Sequence, residues 1–136
     1  MSVRRNAGAT GALLLLLAAT LPAAPCPLPA PQAGEQRLSH GDMHLAWKTE
    51  PERITVGRPF VVFIQACPAA LLLLRVDATM PEHRHGMNYR PSVKALDAGR
   101  WRAEGLLWHM AGRWELAFEV ENGGERMWLR QTVQLP

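Results

Sequence analysis

From about residue 40 onward, apolar and polar positions alternate with a period of two. Met43, Leu45 and Trp47 alternate with His44, Ala46 and Lys48, and Trp114, Leu116, Phe118 and Val120 alternate with Glu115, Ala117, Glu119 and Glu121. Successive side chains of a strand point to opposite faces, so each set predicts a half-buried β-strand. Asn122-Gly123-Gly124 supplies residues that tolerate positive φ, and Met127, Leu129, Val133 and Leu135 resume the alternation, so residues 113–135 predict a hairpin. Two runs, residues 59–66 and 71–76, are apolar except for Gln65 and Arg75 and are bounded by Gly57, Pro59, Pro68 and Pro81. They are candidate central strands, although residues 69–74 alone also fit a helix. Asp97-Ala98-Gly99 marks a turn, with Trp101 and Ala103 on the strand after it and residues 106–110 as the next. Short strands at near-regular spacing, punctuated by Gly and Pro over roughly 100 residues, predict an all-β fold, an antiparallel sandwich of the immunoglobulin type.

The start of the chain has a different character. Arg4 and Arg5 precede a leucine-rich apolar stretch and then small and proline residues, the pattern of a secretory signal. The apolar stretch covers residues 11–21, about half of the ~20 residues that a membrane-spanning helix needs, which favours a cleaved leader over an anchor. Residues 22–34, PAAPCPLPAPQAG, cannot continue a helix or join a central strand and read as a tether or leader remnant. Small residues at Ala23, Ala24 and Ala30 place the mature start between Ala24 and Gly34. The expected organisation is therefore a signal and proline-rich leader at residues 1–33 and one domain at 34–136, exported to the periplasm or beyond. Lipid attachment at Cys26 is a lesser alternative, disfavoured by Pro25, and would be the only route to the membrane. An oxidising compartment also permits a disulfide between Cys26 and Cys67 if Cys26 survives processing. Otherwise Cys67, ending the apolar run 60–67, is expected as a buried small hydrophobe rather than a thiolate ligand.

Charge narrows the function. The chain has 15 Lys+Arg and 12 Asp+Glu, but two of the basic residues are Arg4 and Arg5, so the domain after the leader carries a net charge of only +1. Its basic residues are scattered singly along the sequence, which gives no footprint for nucleic acid or for an anionic membrane.

Against that background one segment stands out: MPEHRHGMNYRP, residues 80–91. Pro81 and Pro91 disfavour helix and Gly86 interrupts a strand, so the segment is expected to be extended or looped. In an extended chain His83, His85 and Met87 share a face, with Arg84 on the other. A second group, His109-Met110, precedes a bend at Ala111-Gly112; if the bend lies beside the first loop, His109 or Met110 completes a set of three or four ligands, with Met80 as a spare thioether. Imidazole and thioether without a carboxylate cluster favour copper, Cu(I) especially, over calcium or magnesium, and zinc would more often recruit Cys or Asp/Glu.

A purely structural reading stands level with this one. Trp101, Trp108, Trp114, Tyr89 and the methionines can form a core in which His85 and His109 are satisfied by backbone carbonyls. Asp77 reads as a turn-capping or supporting residue at a strand end, Glu82 can be drawn beside His83, and Arg113 reads as a solvated strand end or cation–π partner. No nucleophile stands in a recognisable catalytic setting, so the chain is not read as an enzyme.

The segments VDATMPEHRHGMNYRP (76–91) and AEGLLWHMAGRWEL (103–116) resemble the YtkA-like family of small exported or membrane-attached domains, related in pattern to FixH-type proteins that accompany cytochrome oxidase assembly. The resemblance covers roughly residues 40–135, although the chain lacks the membrane helix of the FixH pattern. It implies an immunoglobulin-like sandwich and a setting near copper handling or respiratory-complex biogenesis, and carries over His83, His85, Met87 and His109 as the metal-facing residues. The competing expectation is a metal-free module that docks on an envelope protein through a sheet edge or a Trp-rich face.

Overall fold

The computed structural model describes residues 28–97 and 99–136, among which nine β-strands and no helix occur. The expected signal segment and Cys26 lie outside the described residues. In chain order the strands are β1 (Gln36–His40), β2 (Met43–Glu50), β3 (Pro59–Cys67), β4 (Leu72–Met80), β5 (His85–Gly86), β6 (Ser92–Asp97), β7 (Arg100–Leu107), β8 (Gly112–Asn122) and β9 (Glu125–Leu135). They form two antiparallel sheets, β1-β2-β3-β7-β6 and β5-β4-β8-β9, packed as a sandwich.

The alternating sets do what their period requires. Leu45, Val62, Ile64, Ala103 and Leu106 turn inward from the first sheet and meet Val76, Ala78, Leu116, Phe118 and Val120 from the second. Burying each of the larger side chains contributes about 1.5–3 kcal/mol. The β8–β9 hairpin closes through Gly123 and Gly124 at φ 58° and 84°, the two left-handed positions of a two-residue turn, with Asn122 opposite Glu125.

Elsewhere the structure departs from the sequence expectation. Residues 72–76 begin β4, which excludes the helix, but β4 is central only at its end: β5 pairs with Thr79 and Met80 alone. Its outward positions are also leucines, Leu72 and Leu74, which are 45% and 36% exposed, so an apolar run conceals an ordinary two-faced strand. Residues 106–110 are not a separate strand. β7 runs through to Leu107 because Gly105, at φ 86°, absorbs a bulge opposite Phe60 and Val62 instead of ending the strand. The sequence does not predict β1 and β6, which lack the strict apolar–polar alternation of β2 and β8.

Cys67, buried at the end of β3, is disulfide-bonded and so is not available as a thiolate ligand. Before β1, residues 28–35 lie against the outer face of the first sheet, where Lys48 donates to Gln32 Oε1 at 2.8 Å and Arg37 donates to the Pro29 carbonyl. The β2–β3 connection, the β4–β5 turn and the β7–β8 crossover share one end of the sandwich, and Gly57 N–H donates to Trp108 O at 2.8 Å between two of them. The candidate chemistry lies at that end.

Candidate metal site

The β4–β5 connection is a tight turn. His83 N–H donates to Met80 O at 3.1 Å and Arg84 N–H to Pro81 O at 3.4 Å, and Arg84 closes the turn at φ 55°. Left-handed backbone at a residue with a Cβ costs about 1–2 kcal/mol. β5 then returns beside β4 with His85 opposite Met80 and Gly86 opposite Thr79, and Met87 N–H continues the ladder to Ala78 O at 3.2 Å. Met80 and Ala78 are inward residues, so His85 and Met87 face the same way, as alternation predicts. His83 does not follow that rule, because it sits in the turn rather than in extended chain. The turn nevertheless brings it alongside: the His83 and His85 ring centroids are 5.7 Å apart.

The third imidazole comes from the other sheet's side. Residues 108–111 carry the chain from β7 in the first sheet to β8 in the second, and His109 projects there with its ring centroid 5.1 Å from that of His85. The bend therefore lies beside the first loop, which was the condition for a shared site. Beneath the imidazoles, Trp108 and Trp114 stack at 5.1 Å with their planes 3° apart, both fully buried. Trp114 meets His85 and His109 edge to face at 6.2 and 5.5 Å. Its Nε1–H donates to Met110 O at 3.0 Å, which fixes the crossover backbone. Met87 and Met110 are half-buried and pack against the edge of the core. Met80 is buried below them, with its methyl 2.7 Å from where a Cβ on Gly112 would stand.

The polar surroundings differ from the sequence expectation. Glu82 pairs with Arg113 at 2.8 Å, pinning the turn to the start of β8 instead of supporting His83. Both side chains are at least half exposed, so the bridge contributes under about 1 kcal/mol. Asp77 lies within β4 on its outer face, where it accepts from Arg75 at 2.6 Å and from Ala78 N–H at 2.9 Å. It neither caps a turn nor supports an imidazole, because the strand continues three residues past it. The remaining histidines, His40 and His44, belong to the β1–β2 hairpin at the opposite end.

Two observations bear on what the cluster does. Nδ1 of His85 is buried and has no hydrogen-bond partner, whereas a core histidine held for structure alone normally has one. His83 and His109 are exposed, and no described carboxylate pairs with any of the three rings. In the conformation seen, no three His, Cys, Asp or Glu side chains among the described residues are arranged to hold one ion. Sequence reasoning missed the stacked tryptophan base and the Glu82–Arg113 strap; the isolated acidic and basic residues flanking the two segments were the only signal of the latter.

Fold and site together define a β-sandwich with an imidazole cluster on the seam between its two sheets. No protein-family model, curated protein or solved structure matches the chain.

Proposed function

We propose that this protein is an exported copper-binding or copper-delivery domain, in which His83, His85 and Met87 hold the ion and His109 or Met110 closes the site. The observation that carries this reading is the convergence of three imidazoles, from the β4–β5 turn, β5 and the β7–β8 crossover, with the central ring's Nδ1 buried and unpartnered. Each ring nitrogen binds a metal at about 2 Å, so rings sharing one ion have centroids within about 6 Å of each other. The spacings of 5.7 and 5.1 Å fall in that range, and exposed His83 can turn toward the ion without disturbing the core. Neutral imidazole with thioether donors, and no carboxylate, suits copper, with Cu(I) favoured. An exposed ligand at the rim suits transfer by ligand exchange, hence a carrier rather than an enzyme.

The same reading makes the chain a YtkA-like, immunoglobulin-like domain that serves respiratory oxidase assembly or metal homeostasis in the periplasm. Its support is the motif resemblance together with the strand order β2-β3-β7-β6 opposite β4-β8-β9, which corresponds to the four- and three-stranded sheets of such domains.

The test is an anaerobic titration of Cu(I) into the metal-free protein against a chromophoric competitor, with His83→Ala/His85→Ala alongside. The protein is expected to bind one equivalent and the variant none, while circular dichroism stays unchanged because His83 is in an exposed turn and His85 in a two-residue edge strand. Failure of the parent to compete, or full affinity in the variant, sinks the reading.

A further inference from the structure

We propose that the imidazole end of the sandwich is a docking face for an acidic protein surface, recognised by Arg84 and Arg90 with help from Arg58. This rests on the copper reading for what is exchanged, though not for the docking itself.

The arginines of the described chain divide by position. Arg53, Arg58, Arg84 and Arg90 have no carboxylate partner among the described residues, and all four lie in the β2–β3, β4–β5 and β5–β6 connections, Arg84 lining one depression with His85. The other described arginines each have one. Arg84 stands between His83 and His85 in the turn. Arg90 lies in the connection that follows Met87, and Arg58 follows Gly57, whose N–H meets Trp108 O beside His109. The unpaired acids nearest in sequence, Glu50 and Glu52, line the groove on the outer face of the first sheet rather than the seam.

Two further features separate this from a scatter of surface charge. Arg84 occupies a left-handed position that glycine or asparagine would take with less strain, so the backbone there does not call for an arginine. Tyr89, next to Arg90, is 65% exposed, and tyrosine and arginine are the residue types concentrated at protein interfaces. Unpaired guanidinium groups at one end of the sandwich disfavour the arrival of a free metal cation and attract an anionic surface over a distance of about a Debye length. The arrangement therefore suits copper that arrives and leaves on an acidic protein. A lipid surface fits less well, since Tyr89 and Val56 are the only large exposed apolar side chains near the seam among the described residues and give little to insert.

The experiment uses the metal-free protein and follows the anisotropy of fluorescein-labelled hexaglutamate, with labelled hexalysine and phosphatidylglycerol vesicles as separate arms. Hexaglutamate is expected to bind, to weaken as salt rises, and to bind roughly tenfold more weakly to Arg84→Gln/Arg90→Gln. Arg126→Gln, which removes a paired arginine from the outer face of the second sheet, should leave binding unchanged. Arg84→Glu/Arg90→Glu should instead bind hexalysine. Equal hexaglutamate binding by the glutamine variant, an equal loss in Arg126→Gln, or binding of vesicles without binding of hexaglutamate would overturn the proposal. Cu(I) affinity measured on the same samples separates the two ideas: absent copper binding with intact, Arg84-dependent peptide binding removes the copper reading and leaves the docking face.

Discussion

Gly112 shows how narrowly the seam is built. Its φ of 127° lies outside the range that residues with a Cβ ordinarily adopt, and an added methyl would stand 2.7 Å from the buried Met80 methyl. Gly112→Ala is expected to destabilise the protein by about 1–3 kcal/mol, read as a lower urea midpoint at unchanged slope. Gly41→Ala is the contrasting case: it is also left-handed, at φ 58°, but its Cβ would meet nothing within 4 Å, so the loss should be confined to about 1 kcal/mol of backbone strain. At this scale the sequence was readable wherever a side chain's direction follows from strand alternation. His85 and Met87 are such residues. His83 is not, because the hydrogen bonds that make residues 81–84 a turn depend on Arg84 accepting a left-handed backbone, and nothing in an arginine announces that. The missing partner of His85 Nδ1 is equally invisible in sequence, since it depends on what surrounds the ring.

Among the elements, the β7–β8 crossover is anchored by Trp114 together with the Gly57 N–H bond to Trp108 O. The Trp114 Nε1–H bond to Met110 O ties the connection to the first strand turn of β8, while the stack on Trp108 fixes the indole plane. Trp114→Phe keeps most of the packing and removes the donor. It is expected to lower stability by about 1–2 kcal/mol in thermal or urea unfolding and to weaken Cu(I) binding by loosening His109. Trp108→Ala removes the stack itself and should cost about 3–5 kcal/mol. The strands with both faces distinct, β2, β8 and β9, were legible in the alternation of their residues. β4 reads as a central strand and lies between β5 and β8, although β5 covers only its end and the apolar Leu72 and Leu74 hide its exposed face; β7 reads as two strands because Gly105 resembles a break while serving a bulge. β1, with Leu38 as its one large aliphatic side chain, exists because it pairs with β2 from Gln36 to His40, a property of the partner rather than of its own pattern.

For the whole molecule, stability should be graded from the middle of each sheet outward. β3 lies between β2 and β7, and β8 between β4 and β9, so their amides are bonded on both sides and their inward side chains are fully buried. Native-state hydrogen exchange is expected to be slowest in β3 and β8 and fastest in residues 81–91, the span that carries His83 and Arg84. Protection in that span equal to β8 would contradict this order. The sandwich itself was legible from the spacing of short amphipathic strands and turns. Which connections meet at one end was not: the approach of His109 to His85 is fixed by β7 leaving one sheet and β8 entering the other, and that pairing of strands lies in the topology.

Because His85 belongs to the second sheet and His109 to the passage between the two, the 5.1 Å between their rings measures the alignment of one layer over the other. A ligand clasped by both would act as a rivet against sliding of the layers. The converse follows mechanically: a displacement of the β4–β5 turn by a fraction of an ångström would part the rings, so a ligand held by both would be released by shear rather than by a stronger competitor.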